Sequence, residues 1–236
     1  MKKILKLALT DFKIIFRDPS LRPFLVLPLV LFVLIIWGVP YLVSQYSFLE
    51  PYLPLFLVVA VIENTQAFCF ISSMVLIDEK ETDVAKVYGV VPLSRLEYLL
   101  SRFFIPYFFT VFLNVLLFFL QPFFDISIGA NIAISFLAAL VVPVYVLTIN
   151  ALVQNRLEGM VYIKALNMLV LVPIAAFFVP ESFKHFFGFL PTHWIFQSIE
   201  NATKGVSTSL YVILGFVFFS LLLWFVSKVF VRKHFV

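Results

Sequence analysis

Apolar residues in this chain come in blocks of about 20, separated by short charged or broken stretches. A helix needs about that many, at 1.5 Å rise each, to cross the hydrocarbon core of a bilayer. The first block runs from Phe24 to Val43 without a charge. The second is Tyr52 to Ile77, interrupted by Glu63-Asn64-Thr65-Gln66. The third is Tyr98 to Phe124, with Arg102 near its start. The fourth runs from about Ile126 to Val153, the fifth from about Met160 to Val179, and the last from about Leu210 to Val231. The pattern predicts six spans. A cleavable signal peptide is not expected, because the first dense block starts only at Phe24 and is too long for a signal core.

Composition agrees: 63% of the 236 residues are hydrophobic and 13% are charged. A soluble domain carries about 45–50% apolar and 25% charged residues. One cysteine, Cys69, leaves no internal disulfide framework and no Cys-rich metal site. The G-x-x-x-x-G-K string of a phosphate-cradling loop is missing, so the chain carries no nucleotide motor of its own.

Charge then orients the spans. Fifteen of the seventeen Lys and Arg residues fall on one side of the six-span arrangement, and only Lys184 and Lys204 on the other. Basic residues mark the cytoplasmic side, so both termini are expected there. Residues 2–18 are too charged to span. On a helical projection Lys2, Lys3, Lys6, Lys13 and Arg17 form a stripe, with Leu5, Leu9, Phe12 and Phe16 opposite. This predicts an amphipathic interfacial helix over residues 1–20, ended by Arg17-Asp18-Pro19. It reads either as an elbow embracing the bundle or as a basic segment that only sets topology.

The stretch after span two is the longest charged one. A short helix is expected from about Thr82 to Tyr88, stopped near Gly89, with Val84, Val87 and Tyr88 on one face. The next helix opens with a capping box: Ser94 caps, and Glu97 reaches back to it. Here Asp78-Glu79-Lys80-Glu81-Thr82, followed by Pro92-Leu93-Ser94-Arg95-Leu96-Glu97, resembles the intracellular loop of type-2 ATP-binding-cassette (ABC) transporter permeases. Asp83 stands where that family often has glycine. The resemblance extends in outline to the N-terminal helix, the six spans and a broken external segment before the last.

The resemblance implies an all-α membrane protein, residues 1–236 forming one permease domain of a bacterial exporter in the plasma (inner) membrane. It implies that two permease chains pair as a homodimer or heterodimer, and that each receives a separate ATPase subunit, two per transporter. ATP and Mg would bind on that partner, with no cofactor on this chain and no nucleic-acid partner. The coupling loop would be 78–97, with Glu79, Lys80, Glu81, Val84, Val87 and Tyr88 transmitting ATPase closure. The elbow would use Lys6, Lys13, Arg17 and Asp18. An ordinary solvated connection is the plainer reading of the loop.

Polar residues inside the spans are the remaining candidates. Glu63 lies about 16 Å into span two, near mid-bilayer, where a carboxylate must be paired, protonated or wet. Asn64, Thr65 and Gln66 crowd the same level and cannot all share one helical face, so span two is expected to be surrounded by protein or to line a cavity. Glu63, Asn64, Gln66, Asn114, Asn150 and Asn167 are candidates for a substrate path. Interhelical hydrogen bonding is the alternative for each. Pro28, Pro106, Pro143 and Pro173 sit inside spans as kinks or tolerated prolines.

Residues 180–207 are too broken to span and too apolar to float, which predicts one or two short re-entrant or interfacial helices. The resemblance makes this an external gate, with Pro191, His193 and Trp194 at its turn. His185 and His193 are too sparse for a metal site. The 31 phenylalanines suit a hydrophobic or amphipathic cargo and equally suit contact of the protein with membrane lipid. The rival reading is an ion-coupled carrier using Glu63 as its proton site. An intramembrane enzyme finds no support, because no Ser–His or carboxylate–His constellation sits at one depth.

Overall fold

A computed structural model describes residues 18–82 and 95–234. Lys6, Lys13 and Arg17 of the expected elbow, and Val84, Val87, Tyr88 and Ser94 of the expected coupling loop, lie outside the described residues. Among the described residues the structure is helical throughout, with six helices long and apolar enough to span a membrane. They are α1 (Arg22–Gln45), α2 (Leu53–Glu81), α3 (Arg95–Leu120), the pair α4 (Ile128–Ala139) and α5 (Val141–Leu152), α6 (Arg156–Leu171) extended by a 3-10 stretch (Val172–Phe178), and α9 (Ser209–His234). Between α6 and α9 lie the short α7 (Glu181–Lys184), a 3-10 turn (His185–Phe189) and α8 (His193–Thr203).

Prolines account for most irregularities. Pro143 has no N–H for the carbonyl of Ala139, and the fourth span breaks there into α4 and α5. Pro173 likewise ends the α-form of the fifth span at Leu171. Pro40 leaves the Ile36 carbonyl unserved, and α1 widens into a π-helical turn at Leu34–Gly38 just before it. Side chains cap the helix starts: Ser127 Oγ accepts from Ala130 N–H at 3.3 Å, and Asn155 Oδ1 from Glu158 N–H at 2.9 Å. α8 ends on Gly205 at φ +68°, and the Val206 N–H reaches back to the Asn201 carbonyl at 2.9 Å.

Two helices form the centre. α2 packs against α5 most extensively and is flanked by α1, α3 and α6. α5 also carries α9 on its other side, while α8 lies over α9, α2 and α4. Most of α2 and of the α4–α5 span is therefore buried, whereas α1, α3, α6 and α9 expose one broad apolar face each. In a bilayer those faces meet lipid tails or another chain, so their exposure carries no penalty of the kind water would impose.

One boundary differs materially from expectation. Asp78, Glu79, Lys80 and Glu81 belong to the last turn of α2 rather than to a loop, while α3 begins at Arg95, the first position after the expected cap at Ser94. The connecting stretch is correspondingly shorter than 78–97. The reason is pairing with partners on or beside α3, α5 and α6, which lets four charged residues stay helical at the end of a buried span.

Candidate functional site

Halfway along α2 the polar residues divide by face. Asn64 and Thr65 point to α3: Asn64 Nδ2 donates to Asn114 Oδ1 at 2.6 Å, and Asn114 Nδ2 donates to Thr65 Oγ at 3.1 Å. Gln66 points to α6, where its Nε2 donates to the Asn167 carbonyl at 3.4 Å. The Asn167 side chain is held by the Tyr145 hydroxyl of α5. One turn further, Asn150 Nδ2 donates to the Val146 carbonyl at 2.9 Å and reaches the Ser73 carbonyl of α2 at 3.4 Å. Asn64, Asn114 and Asn150 are thus buried and spend hydrogen bonds between or within helices. Each such bond in a membrane stabilises by about 0.6–2 kcal/mol.

Glu63 stands apart. It is half-buried on a helix otherwise almost wholly enclosed, and among the described residues no hydrogen-bond donor or cation meets its carboxylate. Residues i, i+3 and i+7 share a helical face, so Glu63 looks the same way as Gln66 and Phe70. Gln66 touches α6, and Phe70 stacks on Phe24 of α1 with ring centroids 3.8 Å apart. α1 and α6 each pack on α2 but share no packed interface with one another. Glu63 consequently sits at the base of the cleft between them, with Phe56 and Val59 as its half-open neighbours.

The end of the bundle bearing most of the basic residues is tied by ion pairs. Arg102 Nη2 meets Glu79 Oε1 at 2.7 Å, both largely buried. Lys80 Nζ donates to the carbonyls of Asn150 and Val153 at the end of α5, at 2.5 and 2.9 Å. Glu81 Oε1 accepts from the Arg156 N–H at 2.9 Å. Arg156 then reaches Asp18 at 2.9 Å and Asp78 at 3.5 Å. Hydrogen bonds from Ser20 and Arg156 hold the Asp18 carboxyl below its usual range. One arginine therefore joins the approach to α1, the end of α2 and the start of α6. Glu79 and Lys80, expected on an exposed docking loop, are turned into the bundle instead.

The opposite end holds a cluster that the sequence reading missed. Lys184 Nζ meets Glu200 Oε1 at 2.6 Å, with side chains 10% and 7% exposed. Lys204 joins the same oxygen at 2.7 Å, and Gln197 Nε2 donates to the other carboxylate oxygen at 3.2 Å. Burial works to raise the Glu200 carboxyl, but the two ammonium groups outweigh it and hold it below the usual carboxylate range. The only advance sign was the i, i+4 spacing of Glu200 and Lys204. His193, expected at an open turn, is 1% exposed, and its Nδ1 is buried without a hydrogen-bond partner. Trp194 is half-buried with its indole N–H likewise unpartnered. Pro191 is half-buried beside Thr192, whose hydroxyl donates to the Val170 carbonyl at 2.7 Å.

Six apolar helices, an enclosed polar seam and charges gathered at the two ends are the anatomy of a multi-pass membrane protein. Residues 11–227, nearly the whole chain, match the family described as fluoroquinolones export permease protein Rv2686c-like. The chain belongs to that family of export permeases. Similar proteins include fluoroquinolones export permease protein Rv2686c of Mycobacterium tuberculosis (strain ATCC 25618 / H37Rv) and fluoroquinolones export permease protein MT2760 of M. tuberculosis (strain CDC 1551 / Oshkosh). Each is 27% identical over 108 residues, covering 45% of this permease and 43% of the relative. The match thus spans under half the length of these relatives. The resemblance read from the loop after span two, to an exporter permease, agrees with the family.

Proposed function

We propose that this permease is the membrane subunit of an ATP-driven exporter, working as a pair of chains with a separate ATPase on the basic, cytoplasmic end. Glu63 carries the reading. A carboxylate near mid-bilayer costs several kcal/mol unless it is paired or wet, and within one chain it has neither a cation nor a donor among the described residues. A second copy laid over the α1–α6 cleft would enclose it in a polar path instead of lipid. The cargo would be amphipathic, with a basic amine to face Glu63; the relatives are named for export of fluoroquinolones.

The basic end supports the docking side. α2 ends at Glu81 on the Arg156 junction, so a motor bearing on that end of α2 would push on α1, α2 and α6 together. The test is ATP-dependent drug uptake into inside-out vesicles containing the permease and its co-purifying ATPase. Glu63→Gln should cut uptake at least tenfold while the ATPase still co-purifies. Uptake that follows a proton gradient without ATP, or absence of any co-purifying P-loop ATPase, would overturn the reading in favour of an ion-coupled carrier.

A further inference from the structure

We propose that His193 is a proton-binding site that controls the seating of the external helix α8, so that an acidic exterior unseats this segment from the bundle. The imidazole is almost fully buried, yet its Nδ1 has no partner to hold a proton for it. It lines a cavity of about 220 Å³ together with Ser182, Lys184, His185, Gln197 and Tyr211. A polar cavity of that size holds several waters, which gives a proton a route to the ring.

The surroundings oppose a second charge there. α7 contributes Lys184 and Glu181, the following turn His185, and α8 itself Glu200, with Lys204 just beyond its end. Of the other elements packed on α8, α9 lines the same cavity with Tyr211, α2 carries Glu63, turned to the α1–α6 cleft, and the buried Cys69, and α4 and the stretch 172–178 carry no ionisable side chain. The two lysines and two glutamates already neutralise one another, and the short contacts to Lys184 and Lys204 occupy Glu200. A protonated His193 would find no free counter-charge.

Burial, with smaller contributions from His185 and Lys184, pushes His193 down from 6.5 to about 4. The sign follows directly. The neutral ring favours the seated helix, so seating is fully stabilised above about pH 6.5 and is weakened as pH falls towards 4. A histidine that regains its ordinary value on unseating shifts the equilibrium by about 30-fold between pH 7.5 and 5. Glu200 is held below its ordinary range, so it stays ionised over this window and does not confuse the effect.

Trp194 reports on the ring, since the two rings meet edge-on with centroids 5.4 Å apart. The Trp37→Phe/Trp224→Phe chain in detergent keeps Trp194 as its single tryptophan. Its emission should fall and shift red between pH 6.5 and 4.5, and His193→Gln should abolish the transition while His185→Gln retains it. Should His193→Gln not fold, histidine-selective labelling of the unmodified chain reads the three imidazoles directly. A flat emission profile, a transition that survives His193→Gln, or a His193 resonance titrating near 6.5 overturns the proposal. The inference rests on the proposed orientation only for which compartment supplies the proton. Acidifying either side of sealed vesicles tests that separately, because a transition seen in detergent but only with internal acid would fail the orientation and leave the switch standing.

Discussion

The Lys184–Glu200 pair ties α7 to α8 at 2.6 Å, and Glu200→Gln isolates it. The amide keeps the shape and loses the charge, leaving Lys184 with only Glu181 at 3.5 Å, a carboxylate that is largely exposed. At 2.6 Å and an effective dielectric of about 20, the direct attraction is roughly 6 kcal/mol before desolvation is subtracted. Removing one partner of a buried pair typically costs about 3–5 kcal/mol, because the other charge remains buried alone. The half-exposed Lys204 contact adds at most about 1 kcal/mol. A loss of about 3 kcal/mol is the expected outcome. For a chain of this size that lowers Tm by roughly 6–12 °C. The assay is thermal unfolding in one fixed detergent at pH 7, for Glu200→Gln, Lys184→Met and the double variant. The double should recover most of the loss, since two apolar-compatible groups replace a stranded charge. A drop under about 2 °C for Glu200→Gln, or losses that simply add in the double, would refute a buried, coupled pair.

Four further outcomes follow from the packing. Asn114→Leu removes the donor and acceptor that serve Thr65 and Asn64, and should lower stability by about 1–2 kcal/mol in the same thermal assay. A Cβ added at Gly215 would lie 2.8 Å from Leu137 Cδ2 and 3.0 Å from Trp194 Cβ, so Gly215→Ala should destabilise by about 1–3 kcal/mol. Gly129→Ala, where a Cβ meets nothing within 4 Å, should leave Tm unchanged or raise it. Asp18→Asn and Arg156→Gln should each cost about 0.5–1 kcal/mol and show coupling in a double-mutant cycle, because their contact is partly exposed.

The spans were legible from block length alone, since a 20-residue apolar run has few other homes. Their ends were not, for a specific reason. Asp78-Glu79-Lys80-Glu81 reads as a loop because four consecutive charges cannot enter lipid. They stay helical because Arg102, Arg156 and the carbonyls of Asn150 and Val153 receive them, and those partners lie 23 to 78 positions away. The break at Leu140 falls inside an apolar run where hydropathy is blind, and only Pro143 marks it. The Lys184–Glu200 cluster was illegible for the same reason as the charged end of α2. Sixteen residues and an intervening turn separate the partners, so no local spacing rule connects them.

The polar residues of α2 show why position and partner must be read together. Asn64, Thr65, Gln66 and Glu63 are adjacent in sequence and share one depth, so any scale of hydropathy treats them alike. The helix turns them apart by 100° each, and three of the four meet a protein partner within one chain. Those three are explained by the cohesion of the fold. Glu63 is not, because the direction left to it is the cleft between α1 and α6, which nothing among the described residues closes. A folded-state role for the carboxylate therefore has no source among the described residues. That is why Glu63→Gln should leave the Tm of the isolated permease within about 1 °C or raise it, since an unpaired charge is removed. The same substitution should be felt in export. A variant that lost stability and transport together would instead place Glu63 among the interhelical bonds that hold α2.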